Sequence, residues 1–599
     1  MIENGIAPSG ILLLTFTNKA ADEMKERAGR MDERCEDILA CTYHSFCAMQ
    51  LRKYAKYIGF TSAYSILTPA DTTSCIDIVK TQLGLEKIKK FPKSKEIAAV
   101  LSASVNKEKP LEGLIENDKK LYPYKEEVLR IIEGYKNYKK EHDMMDYDDI
   151  LALSLKLLVE NPKVAEVIEK EYPYIMVDEA QDSNVLQEKI IGEIRKNIQN
   201  ISIVGDVNQS LYKFRGADIE NFMRFPKRFP DCKTIVLDKN YRSTQPILDL
   251  ANGVLEKHST EGIKTVMKSG KEGEKPLLMS MQNRKIEAEY VLSEIKRLRE
   301  EGTPYSEIGV LFQMSYQSFD LETLLNQYNI PYSKRGGLKF LERSFVVDVL
   351  SFLRVIANPV DELAWFRVLK LFEGIGDTYA QRLAEIAIEK KHCLLIDNPY
   401  STYKFANDLK DFKSNIDKWL DDNLQTILDE VIYYYGQLRL RAIETLDEEE
   451  AETQRSILKE DIEQLQFLKD YAQGFKDLSS YIDSFALDAA IEEEAEGVVL
   501  STIHSAKGLE WDNVFVLDCV DGICPKTKVV DAGTPEDNEY LRCFYVAITR
   551  PRKKLTLLAP QEVRLFGGEV NYVYPSHFLD GLKNCFDKGE FNYDARIYA

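Results

Sequence analysis

At 599 residues, with 44% hydrophobic and 30% charged residues, the chain carries enough apolar material for about four packed domains and too much for global disorder. The net charge of −19 argues against a surface coated uniformly in basic residues, although a nucleic-acid groove needs only a local positive patch. No run reaches the ~18 apolar residues of a membrane-spanning helix, no basic-then-apolar leader opens the sequence, and the ten cysteines form no CxxC pair, a pattern expected of reduced thiols in a cytoplasmic protein.

In chain order, the first element is an apolar run at 11–14 that ends in the cluster Thr15-Phe16-Thr17-Asn18. It reads as a buried parallel strand feeding a polar loop. Similar runs recur at 174–177, 201–204, 234–237, 308–312, 498–501, 514–517 and 554–558. They fall into two groups, each interrupted by a long stretch of helical periodicity, 49–144 in the first and 346–491 in the second. The expected fold is α/β. One domain comprises 1–48 and 145–235, the other 236–345 and 492–599, each with a parallel sheet and a mostly helical insertion. Ligands of open parallel sheets bind beyond the carboxyl ends of the strands, so function is expected in the polar clusters. Basic stretches at 87–95, 135–140 and 550–554 read as solvated faces or binding patches, and acidic runs at 447–452 and 492–496 as exposed helix or linker.

Two carboxylates come directly after the run at 174–177, in Asp178-Glu179-Ala180-Gln181-Asp182. Adjacent acids at the end of an apolar strand form the Walker B arrangement of phosphoryl transfer. One holds Mg²⁺ and the next orients or deprotonates the attacking water. The plainer reading is a helix N-terminus enriched in acids. After 201–204 come Gly205, Asp206 and Gln209, then Tyr212, Phe214 and Arg215. Gly205 permits close backbone approach, and Gln209 offers a neutral bidentate group to a terminal phosphate. Tyr212, Phe214 and Arg215 combine stacking faces with a cation, as single-stranded nucleic acid binding requires; the other reading makes the two aromatics core.

Taken in order, DEAQD (178–182), VGDVNQSLYKFRGA (204–217), NYRS (240–243), TIHSAKGLEW (502–511) and FYVAITR (544–550) resemble the motifs of UvrD/PcrA/Rep-type superfamily 1 DNA helicases. TFTNKAA (15–21) and TYHSF (42–46) look like two further motifs, and DYDD (146–149), 336–343 and PSHFL (575–579) match secondary signatures. The resemblance implies two RecA-like P-loop NTPase-type domains, ATP and Mg²⁺ as cofactors, and a translocase moving 3′ to 5′. Its partners would be single-stranded DNA, single-/double-strand junctions and repair or replication proteins, with no membrane.

Carried over residue by residue, Asp178 would coordinate Mg²⁺ and Glu179 would be the general base. Gln209 would report the γ-phosphate. Tyr241 would stack on adenine, Gly508 and Glu510 would belong to the ATP site, and Glu510 would approach the ribose. Arg242 and Arg550 would contact the γ-phosphate, Arg550 as an arginine finger, a role worth ~10³–10⁵ in rate where it operates. Phe16, Asn18, His44, Tyr212, Phe214, Arg215 and His504 would line the DNA track, with Tyr572 the candidate strand-separating aromatic. Plainer alternatives stand beside three of these features: a satisfied helix histidine for His44, a packing role for Tyr241, and an ordinary helix–helix turn for Gly374-Ile375-Gly376, which otherwise resembles a duplex-contacting turn.

The sequence also departs from the pattern. Tyr540 and Leu541 stand where an acid and an arginine are common, and Gln313 where an arginine is common. No long basic tail or nuclease extension comes after PSHFL. No GxxxxGK[ST] occurs, so the loop whose backbone N–H groups and lysine would cradle phosphates is absent from the sequence. The expectation is a helicase sequence that starts downstream of that loop, with an exposed apolar sheet edge and little or no ATPase activity. The competing readings are a catalytically dead DNA-binding scaffold and a fragment of a helicase-nuclease subunit.

Overall fold

The computed structural model describes residues 1–85, 88, 91–211, 219–259, 265–335, 343–390, 405–420, 422–446, 448–472, 475, 477–478, 481–482, 497–564 and 570–591. They divide into two units, Met1–Val236 and Leu237–Ala599.

In the first unit, strands β1 (Ile11–Thr15), β2 (Leu39–Thr42), β3 (Tyr174–Val177) and β4 (Ile201–Ile203) form a parallel sheet in the order β2-β1-β3-β4. Leu14 lies opposite Val177, and Val177 opposite Ile203. The parallel register brings all four carboxyl ends to one edge. Leu12, Leu14, Ile175 and Val177 are buried against Phe46, Leu151 and Ile190 from the flanking helices. β2 is not evident in the sequence because its four residues, Leu-Ala-Cys-Thr, form no apolar run. The edge strand β4 is short and only partly buried.

Helices Pro69–Gln82, Ser94–Asn106 and Lys125–Glu141 build a separate core from Ile76, Ile97, Val128, Ile131 and Tyr135. The DYDD stretch ties this core to the sheet-bearing part. Asp146 caps the helix Tyr147–Glu160 through a reciprocal pair of bonds with Asp149. Buried Lys139 reaches Asp146 at 2.5 Å and also contacts Asp149, while Tyr135 donates to Asp146 at 2.8 Å. Burial drives the Asp149 carboxyl up, together with the charge of Asp146; for Asp146, burial is outweighed by Lys139 and the carboxyl lies below its usual range. Removing one partner of such a cluster leaves an uncompensated buried charge. Lys139→Met is therefore expected to cost about 3–5 kcal/mol of unfolding free energy, read from denaturant midpoints of the variant and the parent.

In the second unit, β5 (Leu277–Met281), β6 (Ile308–Phe312), β7 (Tyr332–Arg335), β8 (Val498–Thr502), β9 (Trp511–Val516), β10 (Pro551–Pro560) and β13 (Asp587–Phe591) form a parallel sheet. Its order is β13-β5-β10-β9-β6-β8-β7. A hairpin of β11 (Glu562–Arg564) and β12 (Val570–Tyr572) comes after β10. Gly309 in β6 leaves room for the indole of Trp511: a Cβ there would lie 2.6 Å from the ring. Helices Ser344–Ala357, Glu362–Leu369, Asp377–Lys390, Ala406–Trp419, Leu424–Ile443 and Glu448–Ala472 enclose a further core around Phe352, Trp365, Phe412 and Trp419. The 374–376 turn connects two of them. Gly374 takes φ 84°, and Ile375 is buried in that core.

The strand expected at 234–237 does not form. Ile235, Val236 and Leu237 are 69%, 57% and 76% exposed, and no described strand pairs with them. Apolar β-branched residues favour extended backbone, but a ladder requires an available edge as well.

At the end of the chain, the PSHFL stretch docks through a buried histidine. His577 Nδ1 lies 2.7 Å from Asp521 and Nε2 lies 3.1 Å from Asp537. Asp537 also accepts from Thr527, and the ring of His258 stands 6.3 Å away. Burial lowers the His577 pKa, but the two carboxylates outweigh it and hold it above the ordinary value. A base whose folded pKa is raised contributes fully below its unfolded value, about 6.5, and its contribution is lost as pH rises through the folded value. The Tm advantage of the parent over His577→Gln is expected to shrink as pH rises from about 6 to about 9, measured by thermal unfolding at each pH.

Candidate functional site

At the carboxyl edge of the first sheet, β3 runs straight into Asp178 and Glu179. The Asp178 amide donates to Leu14 O at 2.9 Å, locking the end of β3 to β1. Glu179 sits at φ 52°, a left-handed conformation uncommon for a residue with a side chain. The turn is held from the β4 side, where Ala180 N donates to Val204 O at 2.9 Å.

Gln181 organises the turn beyond β3. It is 0% exposed. Its Nε2 donates to Glu179 at 2.5 Å, and its Oε1 accepts from Asp206 N at 3.1 Å. Asp206 in turn accepts from Gln209 Nε2 at 2.8 Å and from Asn208 N at 2.9 Å. Ser210 Oγ donates to Gln181 O at 3.2 Å. One buried amide thus joins the carboxylate at the end of β3 to the glutamine after β4. In the sequence, Gln181 is only motif context. Its position between two acids is the available signal, but the link to Asp206 appears only in three dimensions. An apolar cleft of about 420 Å³ nearby shares Val177 and Ile203 with the sheet but includes none of Asp178, Glu179 or Asp206. Gln181→Leu keeps the volume and strands the Glu179 and Asp206 partners. It should cost about 1–3 kcal/mol in chemical unfolding.

Among the described residues no group of three or more His, Cys, Asp or Glu side chains could hold a metal by itself. That suits Mg²⁺ in nucleotide sites, where one or two carboxylates serve and phosphates supply other ligands. Asp178 fits that donor set.

The same edge carries a second group. Thr17 caps the helix Asn18–Met31, and Thr42 caps the helix Tyr43–Tyr54. Ser45 Oγ bridges them, 2.9 Å from Thr42 Oγ1 and 3.4 Å from Asn18 Oδ1. Phe16 comes directly after β1 and is partly buried. The His44 ring lies 4.7 Å from that of Tyr147, and burial lowers its pKa to about 4, so it is a neutral imidazole at pH 7. Tyr147, 57% exposed, does not stand out in the sequence. Tyr212, Phe214 and Arg215 lie outside the described residues.

The second unit assembles its own set. Asn240 Oδ1 accepts from the amides of Arg242 and Ser243 at 2.8 and 2.9 Å. Ser243 Oγ donates to Pro551 O, and Thr244 N to Arg552 O, so the NYRS turn is pinned to the start of β10. Arg242 Nε bonds Glu510 at 2.5 Å, and Arg552 joins Glu510, Asp512 and Glu307. Burial raises the Glu510 carboxyl, but the two guanidinium groups outweigh it and hold it below its usual range. Tyr241 is 73% exposed, with Lys239 Nζ 4.9 Å from its ring centroid. Gly508 takes φ 82° in the turn before Glu510.

Arg550 faces inward. It is 1% exposed and donates to Val546 O at 2.8 Å, Thr549 Oγ1 at 3.0 Å and Leu509 O at 3.4 Å, closing the end of the helix Pro535–Ile548. His504 comes just after β8. Its Nε2 is 3.8 Å from Cys543 Sγ, and burial lowers its pKa despite Glu539. Tyr572 lies at the end of β12, 78% exposed and apart from the Arg242–Glu510 group in sequence and strand.

Residues 1–230 match the model of the UvrD/REP helicase N-terminal domain, and 235–562 match that of the UvrD-like helicase C-terminal domain. The chain belongs to the UvrD/Rep helicase family. It is 31% identical over 596 residues to the ATP-dependent DNA helicase PcrA of Staphylococcus aureus strain MRSA252, covering 96% of this chain and 80% of that protein. PcrA of Staphylococcus epidermidis strain ATCC 12228 is likewise 31% identical, over 598 residues, with the same coverage. UvrD-type helicases are ATP-dependent and generally use Mg²⁺, and the two parallel sheets correspond to their RecA-like folds. No helix among the described residues is long and apolar enough to cross a membrane.

Proposed function

We propose that the protein is a cytoplasmic 3′-to-5′ single-stranded DNA translocase and helicase, with motor domains 1–48/145–235 and 236–345/492–599 and helical insertions 49–144 and 346–491. The observation that carries the reading is the Gln181 bridge, which gathers Asp178, Glu179, Asp206 and Gln209 at one strand edge of a chain matched along its length by helicase models.

In this reading Asp178 takes part in holding Mg²⁺. Glu179, oriented by Gln181, accepts the proton of the attacking water, and Gln209 senses the terminal phosphate. Nucleotide with Mg²⁺ supplies the phosphoryl group and charge neutralisation. On the second unit Tyr241 offers its open face to the adenine. Gly508 frees the turn that presents Glu510 to the ribose, and Arg242 is pre-aligned by that carboxylate. Arg550 acts as the finger once its guanidinium leaves the carbonyls it now closes.

Phe16, Asn18, His44, Tyr212, Phe214, Arg215 and His504 form the DNA track. The neutral imidazole of His44 suits contact with a base face rather than a phosphate. Aromatic stacking tolerates any base at about 1–3 kcal/mol per base, which suits a motor that reads no sequence.

The sequence of 599 residues contains no GxxxxGK[ST], so this polypeptide should bind DNA while turning over ATP slowly or not at all. Fluorescence anisotropy with a single-stranded oligonucleotide should show binding, stronger for a 3′-tailed than a 5′-tailed duplex. ATP hydrolysis with the same DNA should stay near background. Absent DNA binding would overturn the reading as a whole; brisk DNA-stimulated hydrolysis would overturn only the inactivity.

A further inference from the structure

The end of the β11–β12 hairpin carries two tyrosines in the sequence Tyr572-Val573-Tyr574. Both are unusually open, at 78% and 77% exposed. The backbone between them is extended and held on both sides. Tyr572 is paired with Glu562, Val573 N donates to Gln561 O at 2.9 Å, and Tyr574 O accepts from Asp521 N at 3.0 Å. Alternation along an extended chain puts residues 572 and 574 on the same side. Two residues of strand span about 6.6–6.8 Å, twice the ~3.4 Å rise between stacked nucleotides. Two rings at that spacing leave a gap the thickness of one base.

The charges nearby are asymmetric. Glu562, directly across the hairpin from Tyr572, would repel a phosphate. The turn bonded to Tyr574 is closed by Gly522 N donating to Thr527 O at 3.0 Å, and it carries exposed Lys526 and Lys528. Neither lysine makes an ion pair with any described residue. An occupant with a flat aromatic face and an anion on one side matches this arrangement.

We propose that Tyr572 and Tyr574 form a clamp that takes one unpaired nucleobase between their rings, with the adjoining phosphate toward Lys526 and Lys528. This rests on the reading of the protein as a DNA-binding motor. It assigns the base-capturing role to a pair of rings, with Tyr574 the member that sequence comparison did not single out. Each ring contributes a stacking face, and stacking is tolerant of base identity, so the clamp holds a nucleotide without selecting it.

The test uses the full chain and a 3′-tailed duplex with 2-aminopurine at the first unpaired position. The parent should quench the probe on binding. Tyr574→Leu should abolish most of the quenching and weaken junction binding about tenfold, while Tyr574→Phe should match the parent. Tyr572→Leu should behave like Tyr574→Leu. Both positions are exposed, so unchanged melting temperatures should show that the variants fold. If Tyr574→Leu quenches and binds like the parent while Tyr572→Leu does not, the clamp is overturned and a single ring acts. If the parent binds a plain single-stranded oligonucleotide but never quenches the junction probe, the clamp fails and the DNA-binding reading survives. If the parent binds neither DNA, both fall.

Discussion

The parallel pairing of β1, β3 and β4 is the constraint on which the first unit's chemistry depends. Parallel strands all end on one side, so groups distant in sequence meet there without needing contacts of their own. Asp178 is held by an amide bond to Leu14, and the turn after Glu179 by a bond to Val204. The acids are therefore fixed through backbone. The side chains are left to one another, and the buried amide of Gln181 satisfies three of them at once. An unpaired polar atom at such a site would carry its full desolvation cost, which is why the network is closed.

The second unit solves a related problem with charge. Arg242, Arg552, Glu510, Asp512 and Glu307 come from four separated stretches and neutralise one another where β9 and β10 begin and the NYRS turn arrives. The groups are partly exposed, so each pair alone is worth little. Their value lies in orientation, because Arg242 has its guanidinium directed before any ligand arrives. Arg550 shows the opposite arrangement. Its donors are spent on helix-terminal carbonyls, so any outward role requires those bonds to be exchanged, and such exchange makes a residue conditional on conformation.

Much of this was legible in the sequence for identifiable reasons. Strands at 174–177, 308–312 and 498–501 were readable because strands buried on both faces are continuous apolar runs. β2, β7 and β13 were not, since Leu-Ala-Cys-Thr, Tyr-Ser-Lys-Arg and Asp-Lys-Gly-Glu-Phe carry little apolar signal and form only because neighbours offer an edge. The run at 234–237 had the signal but no described partner strand. Asp178, Glu179 and Gln209 stood out through their chemistry just past a strand end. Gln181 and Tyr147 did not, because a buried amide or an exposed ring acquires meaning only from what it faces.

The sequence by itself determined the α/β class, the family, the polar clusters at the strand ends and the residue types available for phosphate and base contact. These derive from short-range patterns: apolar runs, turn chemistry, and acids and aromatics at fixed offsets. Tertiary structure decided which of those residues meet and in what state. His44 is neutral because it is buried, and Glu510 is a firm carboxylate because two guanidinium groups converge on it. His577 holds its proton between two acids. Burial and long-range charge are sums over neighbours supplied by the fold, and neighbours tens to hundreds of residues away in the chain leave no mark on the local sequence.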